Sequence, residues 1–303
     1  MKFAGEHYEG LHKVSSINPT YIIAFKNMIN EKSCDVFANI KVIKRIGSVS
    51  VYATVWEINF LINSLDNKYI KMAIKIQRDR EKTLEEININ IFLNQYPDYF
   101  LQMYDSIYCE QIELKDSVFS GYFMFLELAI GDLKQLLRYS DKVSEAELLT
   151  IISQVFDSIY ILGKSTLFHG DLHIGNVFIV PRNISERNIG AKATGNTIRA
   201  VIGDFGETIA MLSITSHTSD IYKFCTSLSS QLVTDKKFPN TYRKLKNIVK
   251  YTNTITSDME NDFEKFTEQL DEQNLDENIY TQQIDQYFEK VVGNTISTIK
   301  GML

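Results

Sequence analysis

Two acidic motifs in the middle of the chain carry the residue types that phosphate chemistry requires. Residues 169–176 read HGDLHIGN, and residues 204–206 read DFG. Asp171 is a candidate general base, because an ionised carboxylate accepts a proton from a nearby hydroxyl group. Asn176 and Asp204 supply oxygen ligands, which hard divalent ions prefer. This set predicts phosphoryl transfer from ATP, with Mg²⁺ or Mn²⁺ as the metal.

Both motifs resemble those of the protein-kinase-like superfamily, whose catalytic loop reads HRDLxxxN and whose metal-binding turn reads DFG. Residues 73–75 read AIK, similar to the family's VAIK strand, and Glu86 opens a segment similar to the helix that carries the lysine's partner. The resemblance implies that Ala73 and Lys75 contact ATP, that Lys75 holds the α- and β-phosphates, and that Glu86 orients Lys75. Glu85 is the adjacent alternative for that partner.

Residues 125–133, FLELAIGDL, resemble the segment that joins the two lobes of a kinase. The resemblance implies that the backbone from Glu127 to Ala129 hydrogen-bonds adenine and that Leu126 lies behind the base. A buried strand without a ligand is the alternative that the residues leave open. Further along, Asp220 resembles the aspartate that anchors the backbone of the catalytic loop, although aspartate is also common as a helix N-cap.

The loop that should cover the phosphates departs from the family's GxGxxGxV pattern, because residues 47–55 read GSVSVYATV. In the preferred register small residues replace the three glycines and a valine keeps its place; a register starting at Gly47 would put Val49 and Tyr52 at glycine sites. Side chains at these sites limit the close approach of backbone to phosphate, which predicts modest nucleotide affinity. The residues assigned to nucleotide binding here are Gly47, Ser48, Ser50, Ala53 and Val55.

The catalytic loop departs from the family at two positions. Gly170 replaces the arginine that would receive an activation-loop phosphate, so we expect no regulation by such phosphorylation. His173 replaces a lysine of many serine/threonine kinases, and HGDLHxxN is a spelling shared with aminoglycoside- and choline-kinase-like phosphotransferases. His173 is a candidate catalytic residue that donates a hydrogen bond, or it packs without a catalytic role.

The interval after the metal-binding turn bears on the phosphate acceptor. Asp220 follows Asp204 by sixteen positions, without the platform on which kinases bind an extended peptide. The short interval favours a small-molecule alcohol as the phosphate acceptor, whereas DFG and the kinase-like hinge favour a protein. An insertion at 181–199 offers a substitute surface on which a protein acceptor could bind. The first hypothesis is an atypical serine/threonine protein kinase. The alternatives are a small-molecule hydroxyl kinase and a pseudokinase that binds nucleotide or a protein partner without turnover.

Elements that must position these residues follow from the hydrophobic pattern. Segments rich in β-branched and aromatic residues predict strands at 38–60, 70–76, 122–128, 176–180 and 200–206. Helical spacing predicts helices at 83–93, where an alternation also suits a strand, at 145–165, and through most of the chain after 219. We expect an α+β, bilobal kinase-like fold with a small β-rich lobe, including a leading segment 1–37, at 1–128 and a larger helical lobe at 129–303.

Composition excludes several other functions. The 303 residues carry a net charge of −6, which disfavours a general nucleic-acid or membrane-surface protein. The three cysteines are odd in number and lie far apart without a CxxC pair, so we expect neither a disulfide framework nor a zinc knuckle, and we expect a reducing compartment in which the thiols stay unpaired. The sequence shows no signal-like segment and no uncharged apolar stretch of membrane-spanning length. We therefore expect a cytoplasmic protein whose partners are ATP and a protein substrate.

Overall fold

The structure is a computed structural model that describes residues 19–46, 53–63, 68–78, 80–115, 117–139, 143–181, 198–210, 215–273 and 275–303. Within these residues the helices are α1 (Pro19–Lys32), α2 (Arg80–Leu93), α3 (Leu133–Tyr139), α4 (Glu145–Lys164), α5 (Ser216–Asp235), α6 (Pro239–Asp271) and α7 (Glu277–Met302), with a 3₁₀ helix at Ser33–Asn39. The strands are β1 (Ile40–Ile46), β2 (Ala53–Asn63), β3 (Lys68–Gln77), β4 (Met103–Leu114), β5 (Ser117–Glu127), β6 (Gly131–Asp132), β7 (Leu167–Phe168), β8 (Val177–Pro181), β9 (Ile198–Ile202) and β10 (Ile209–Ala210).

The chain is α+β, as the sequence predicts, and it divides into two compact units. Among the described residues the first unit holds 19–131, 179–181 and 198–199, and the second holds 132–178 and 200–303. The sequence places the division after Leu128 and assigns everything beyond it to the second lobe. The structure instead adds short pieces of β8 and β9 to the first unit.

A five-stranded antiparallel sheet in the order β1-β2-β3-β5-β4 forms the first unit. Because side chains alternate along a strand, the sheet has two faces with different partners. One face packs against α1 and the 3₁₀ helix, where the Phe25 ring lies 4.7 Å from the Phe60 ring and 5.1 Å from the Phe125 ring. The buried residues of this core include Phe25, Ile29, Val36, Ile58, Phe60, Met72, Ile74, Ile76, Phe123 and Phe125.

The opposite face carries the residues of interest and a smaller apolar cluster. Ile87 of α2 packs there with Met103 and Met124, and Leu126 lies against this cluster. The 83–93 helix of the sequence prediction is therefore correct in type, and it begins earlier, at Arg80. The sequence missed β4, because this edge strand is largely half-exposed and keeps many polar residues.

Cys34 and Cys109 form a disulfide, which contradicts the expectation of unpaired cysteines. The two residues are 75 positions apart, and the sheet brings the 3₁₀ helix beside β4 so that their Cα atoms are 5.8 Å apart. Spacing along the sequence gave no sign of this contact. The cysteine pattern therefore no longer supports a reducing compartment. Cys225 is a buried free thiol in α5, and burial raises its pKa.

Helix α4 is the core helix of the second unit. Its N-terminus is a capping box, in which Ser144 Oγ accepts from Glu147 N–H at 3.3 Å and the Glu147 carboxylate accepts from Ser144 N–H at 2.9 Å. Gly163 allows α7 to approach closely, since a Cβ there would lie 2.8 Å from Val292 Cγ1. By length and composition α4 is the one described helix that would suit a membrane span, but half of that window is buried in the protein, as in an ordinary core helix.

Helices α6 and α7 pack through the aromatic residues that the sequence places at helical spacing. The rings of Phe266 and Tyr287 stack at 4.3 Å, and Phe263 lies 5.4 Å from Phe288. Leu270 is buried near the end of α6. Gly47, Ser48 and Ser50, three residues of the predicted phosphate loop, lie outside the described residues.

We predict that loss of the disulfide weakens the fold. C34A/C109A should lower the free energy of unfolding by about 2–4 kcal/mol, because the link closes a long chain segment in the unfolded state. Urea unfolding with and without dithiothreitol measures this: the reductant should destabilise the wild type and leave the double variant unchanged. Three free thiols in the denatured, unreduced wild type would show that the disulfide does not form.

Candidate functional site

Lys75 and Glu86 form a buried ion pair in the first unit. Lys75 Nζ lies 2.7 Å from Glu86 Oε1 and 3.0 Å from Oε2, and the two side chains are only 9% and 3% exposed. Gln77 Nε2 donates to the same carboxylate at 2.9 Å. Glu85 is exposed on the other side of α2, so the structure selects Glu86 from the two candidates. A buried pair of this kind contributes little net stability, because both charges lose their hydration.

The strand register places other predicted nucleotide residues on the same face of the sheet as Lys75. Residues directly opposite each other in an antiparallel pair point to one face. Val55 is opposite Lys75, and Leu126 is opposite Ala73, which is two positions from Lys75 on β3. Ala53 is opposite Gln77 and therefore belongs to this face as well. The result is an apolar strip, next to a positioned ammonium group, on one side of the sheet.

Glu127 lies at the end of β5 and points to the opposite face, since it is the next residue after Leu126. Its N–H donates to Gln102 O at 2.8 Å, and its carboxylate accepts from Arg199 Nη2 at 3.1 and 3.2 Å. Ala129, two residues further on, is buried outside the strand. Sequence reasoning missed Arg199, although an arginine in the otherwise apolar β9 was a signal of a buried acidic partner.

The predicted catalytic loop at 169–176 forms a turn in the second unit, which we call the catalytic turn. His169 is its buried centre. Its Nδ1 accepts from Asp171 N–H at 3.3 Å, so its Nε2 carries the proton and donates to Gly203 O at 3.2 Å. Burial lowers the pKa of His169 and keeps the ring neutral. The ring also packs 5.5 Å from Phe205 of the DFG motif. His169 thus links the two acidic motifs.

Asp171, Asn176 and Asp204 are brought together by backbone and side-chain hydrogen bonds. Asn176 Nδ2 donates to Asp171 O at 2.9 Å, and Gly203 N–H donates to Asn176 O at 3.1 Å. The Asp171 side chain is 57% exposed, so solvent or a ligand reaches its carboxylate. Asp204 has a φ of +66°, a conformation that is uncommon outside glycine and marks a constrained turn.

Asn176 and Asp204 carry the kind of oxygen atoms that Mg²⁺ takes as ligands. The Asn176 amide nitrogen is engaged by Asp171 O, which fixes the amide with its oxygen at the other end. No three His, Cys, Asp or Glu side chains gather into a metal cluster anywhere in the described part of the chain. Two oxygen-bearing side chains suffice for Mg²⁺, which takes its other ligands from phosphates and water.

His173 has a defined tautomer beside Asp171. Its Nδ1 accepts from Gly175 N–H at 3.0 Å, so in the neutral ring the proton is on Nε2. That nitrogen lies 3.7 Å from Asp171 Oδ2. The ring is partly exposed rather than packed in the core. Of the two interpretations from the sequence, the geometry therefore favours a donor.

Asp220 anchors the catalytic turn from α5. Its carboxylate accepts from His169 N–H at 2.9 Å and from Gly170 N–H at 3.2 Å, and Lys223, one turn later, donates to Gly170 O. Burial raises the pKa of Asp220 to about 7, against the lowering effect of the two N–H donors and Lys223. The sequence did not identify Lys223, because nothing in the local pattern distinguishes it from a surface lysine.

The structure explains why a glycine is present at position 170. Its φ is +81°, and a Cβ at this position would lie 2.3 Å from Glu207 O. A side chain, including the family's arginine, would therefore require the turn or the segment after DFG to move. The glycine before Asp171 is part of how this turn closes.

Searches against protein-family models and against curated proteins find no match to this chain.

We predict that G170A destabilises the protein by more than about 2 kcal/mol, because it combines a strained positive φ with a backbone clash. G301A is the matched control: Gly301 is in α7 with nothing near the added Cβ, and alanine there should be neutral or slightly stabilising. Thermal or urea unfolding compares the two. Equal stability of G170A and wild type would contradict the described turn.

We predict a pH effect from Asp220. Its pKa is about 7 in the folded protein and 3.8 in the unfolded reference, so between these values the folded state retains a proton that the unfolded state loses. This group's stabilisation is complete below the unfolded pKa and is lost as the pH rises through about 7.

D220N removes that titration. The fall in the free energy of unfolding from pH 4.5 to pH 8 should be smaller in D220N than in wild type, by an amount on the order of 1–4 kcal/mol. Urea unfolding at several pH values measures it. Parallel curves for the two proteins would contradict the assignment.

Proposed function

We propose that the protein is an ATP-dependent phosphotransferase, and that its acceptor is a serine or threonine hydroxyl of a protein. One observation carries this proposal: Asn176 donates to the main-chain oxygen of Asp171, whose carboxylate is exposed, and accepts from Gly203 N–H, next to Asp204 at positive φ. A proton acceptor and two metal ligands are the groups that transfer from Mg-ATP requires.

In the proposed reaction Asp171 accepts the proton of the acceptor hydroxyl. The hydroxyl oxygen forms a bond to the γ-phosphorus, the bond from that phosphorus to the β-phosphate oxygen breaks, and ADP leaves. Asn176 and Asp204 would hold Mg²⁺, which when bound neutralises charge on the phosphate oxygens. The Nε2–H of His173 faces Asp171 and is placed to donate to an oxygen that approaches the same carboxylate.

The first unit would bind the nucleotide. Glu86, whose carboxylate also accepts from Gln77, holds Lys75 in one orientation, so its ammonium group would contact phosphate oxygens with little further loss of side-chain entropy. Ala73, Val55 and Leu126 supply apolar surface on the same face, which suits the flat side of a purine. The backbone from Glu127 to Ala129 would receive the edge of the base.

A small-molecule alcohol is the second candidate acceptor. The segment between Asp204 and Asp220 is short, and β10 within it pairs with β7. Little chain is left there to build a peptide platform.

Gly170 in place of an arginine also leads us to expect activity without activation-loop phosphorylation.

We predict that D171N lowers phosphate transfer at least about a hundredfold while nucleotide affinity stays close to wild type, because the amide cannot accept the proton. Transfer from [γ-³²P]ATP to protein and small-molecule acceptors, beside calorimetric titration with Mg-ATP, measures both quantities. Transfer by D171N at the wild-type rate would contradict the assignment of the base.

D204A separates the two roles. It should weaken Mg²⁺-dependent nucleotide binding, which D171N leaves intact, because it removes a metal ligand rather than the base. Transfer to aminoglycosides or choline without transfer to proteins would select the second candidate.

A further inference from the structure

Arg199 forms ion pairs with two carboxylates in the first unit, apart from the Lys75 site. Its Nη2 contacts both oxygens of Glu127, at 3.1 and 3.2 Å, and its Nη1 lies 3.5 Å from Asp98 Oδ1. The side chains of Arg199 and Glu127 are 12% and 14% exposed. Burial and the Glu127 charge raise the pKa of the Tyr104 phenol, whereas the Arg199 charge lowers it.

Two contacts hold the backbone at the end of β5: a main-chain hydrogen bond of Glu127 and the ion pair of its side chain with Arg199. Glu127 N–H is already bound by Gln102 O in the segment before β4, and Asn94 in the turn after α2 fixes that segment through two hydrogen bonds to Met103. Arg199 adds a bond to the Glu127 side chain, on the face of the sheet opposite to Lys75 and Leu126. Arg199 therefore acts on the face that carries Lys75 and Leu126, where we propose that the nucleotide binds, only through the Glu127 backbone.

Stability alone does not explain this arrangement. Arg199 Nε is buried without a hydrogen-bond partner among the described residues, which is unfavourable. Buried ion pairs are in general no more stabilising than well-packed apolar residues of similar size. A planar guanidinium does, however, fix the direction of a carboxylate more firmly than an apolar contact.

We propose that Arg199 is a positioning residue for the base of the nucleotide: by holding the Glu127 carboxylate it sets the backbone from Glu127 to Ala129 that receives adenine. This inference rests on the proposed nucleotide-binding function. It assigns Arg199 to recognition of the base, separately from Lys75, which acts on the phosphates.

The test compares ligands with and without a base. R199M leaves a buried carboxylate without its main partner and is expected to lower stability, so the double variant E127M/R199M, in which neither charge remains, is measured beside it. In both variants the Kd of Mg-ATP should rise about tenfold, a loss of 1.4 kcal/mol. The Kd of magnesium tripolyphosphate should stay at the wild-type value.

R199K and K300Q complete the experiment. R199K keeps the charge without the planar fork and should give an intermediate Kd for Mg-ATP. K300Q breaks the Lys300–Asp157 ion pair, which joins α7 to α4 at 2.6 Å, and should leave both Kd values unchanged.

The possible outcomes are distinct. Equal losses for Mg-ATP and tripolyphosphate, or no loss for either, would overturn the role of Arg199 while the proposed function stands. A wild-type protein that binds neither ligand would overturn both.

Discussion

The catalytic turn depends on one buried carboxylate. Asp220 accepts two consecutive backbone N–H groups, from His169 and Gly170, and so fixes the turn from which Asp171 projects. Because such donors inside a protein need acceptors, the turn and α5 constrain each other. His169 extends the constraint to Gly203, next to Asp204. The exposed Asp171 side chain and the side chains of Asn176 and Asp204 are thus positioned by the hydrogen bonds of buried groups.

In the first unit the corresponding constraint is the two-sidedness of the sheet. One face is filled by α1 and the aromatic core, which leaves the other face to α2, Lys75 and the apolar strip. A one-residue shift in register would exchange these faces, so the position of Lys75 is specified by the packing of Phe125 and Ile74 on the far side. The disulfide between Cys34 and Cys109 ties the helical layer to β4 on that side.

Sequence predicted the parts of the site that carry kinase-like motifs and missed the contacts that belong to no motif. The resemblance to kinase motifs placed Asp171 and Asn176 in one loop and predicted the pairing of Lys75 with Glu85 or Glu86. It also predicted the contact of Asp220 with the catalytic loop, although Asp220 and His169 are 51 positions apart. The Arg199–Glu127 pair and the disulfide join residues 72 and 75 positions apart, and only the topology brings them together. The strand and helix types came from side-chain periodicity, which failed for β4 because an edge strand keeps polar residues.

We propose that the turn at 169–176 transfers the γ-phosphate of ATP. The most direct test incubates the wild-type protein and Mg²⁺ with [γ-³²P]ATP and protein or small-molecule acceptors, and quantifies both ADP and the label on a hydroxyl. We expect Mg²⁺-dependent formation of ADP together with an equal amount of labelled acceptor, on serine or threonine of a protein. Binding of Mg-ATP without any ADP or labelled acceptor would contradict it.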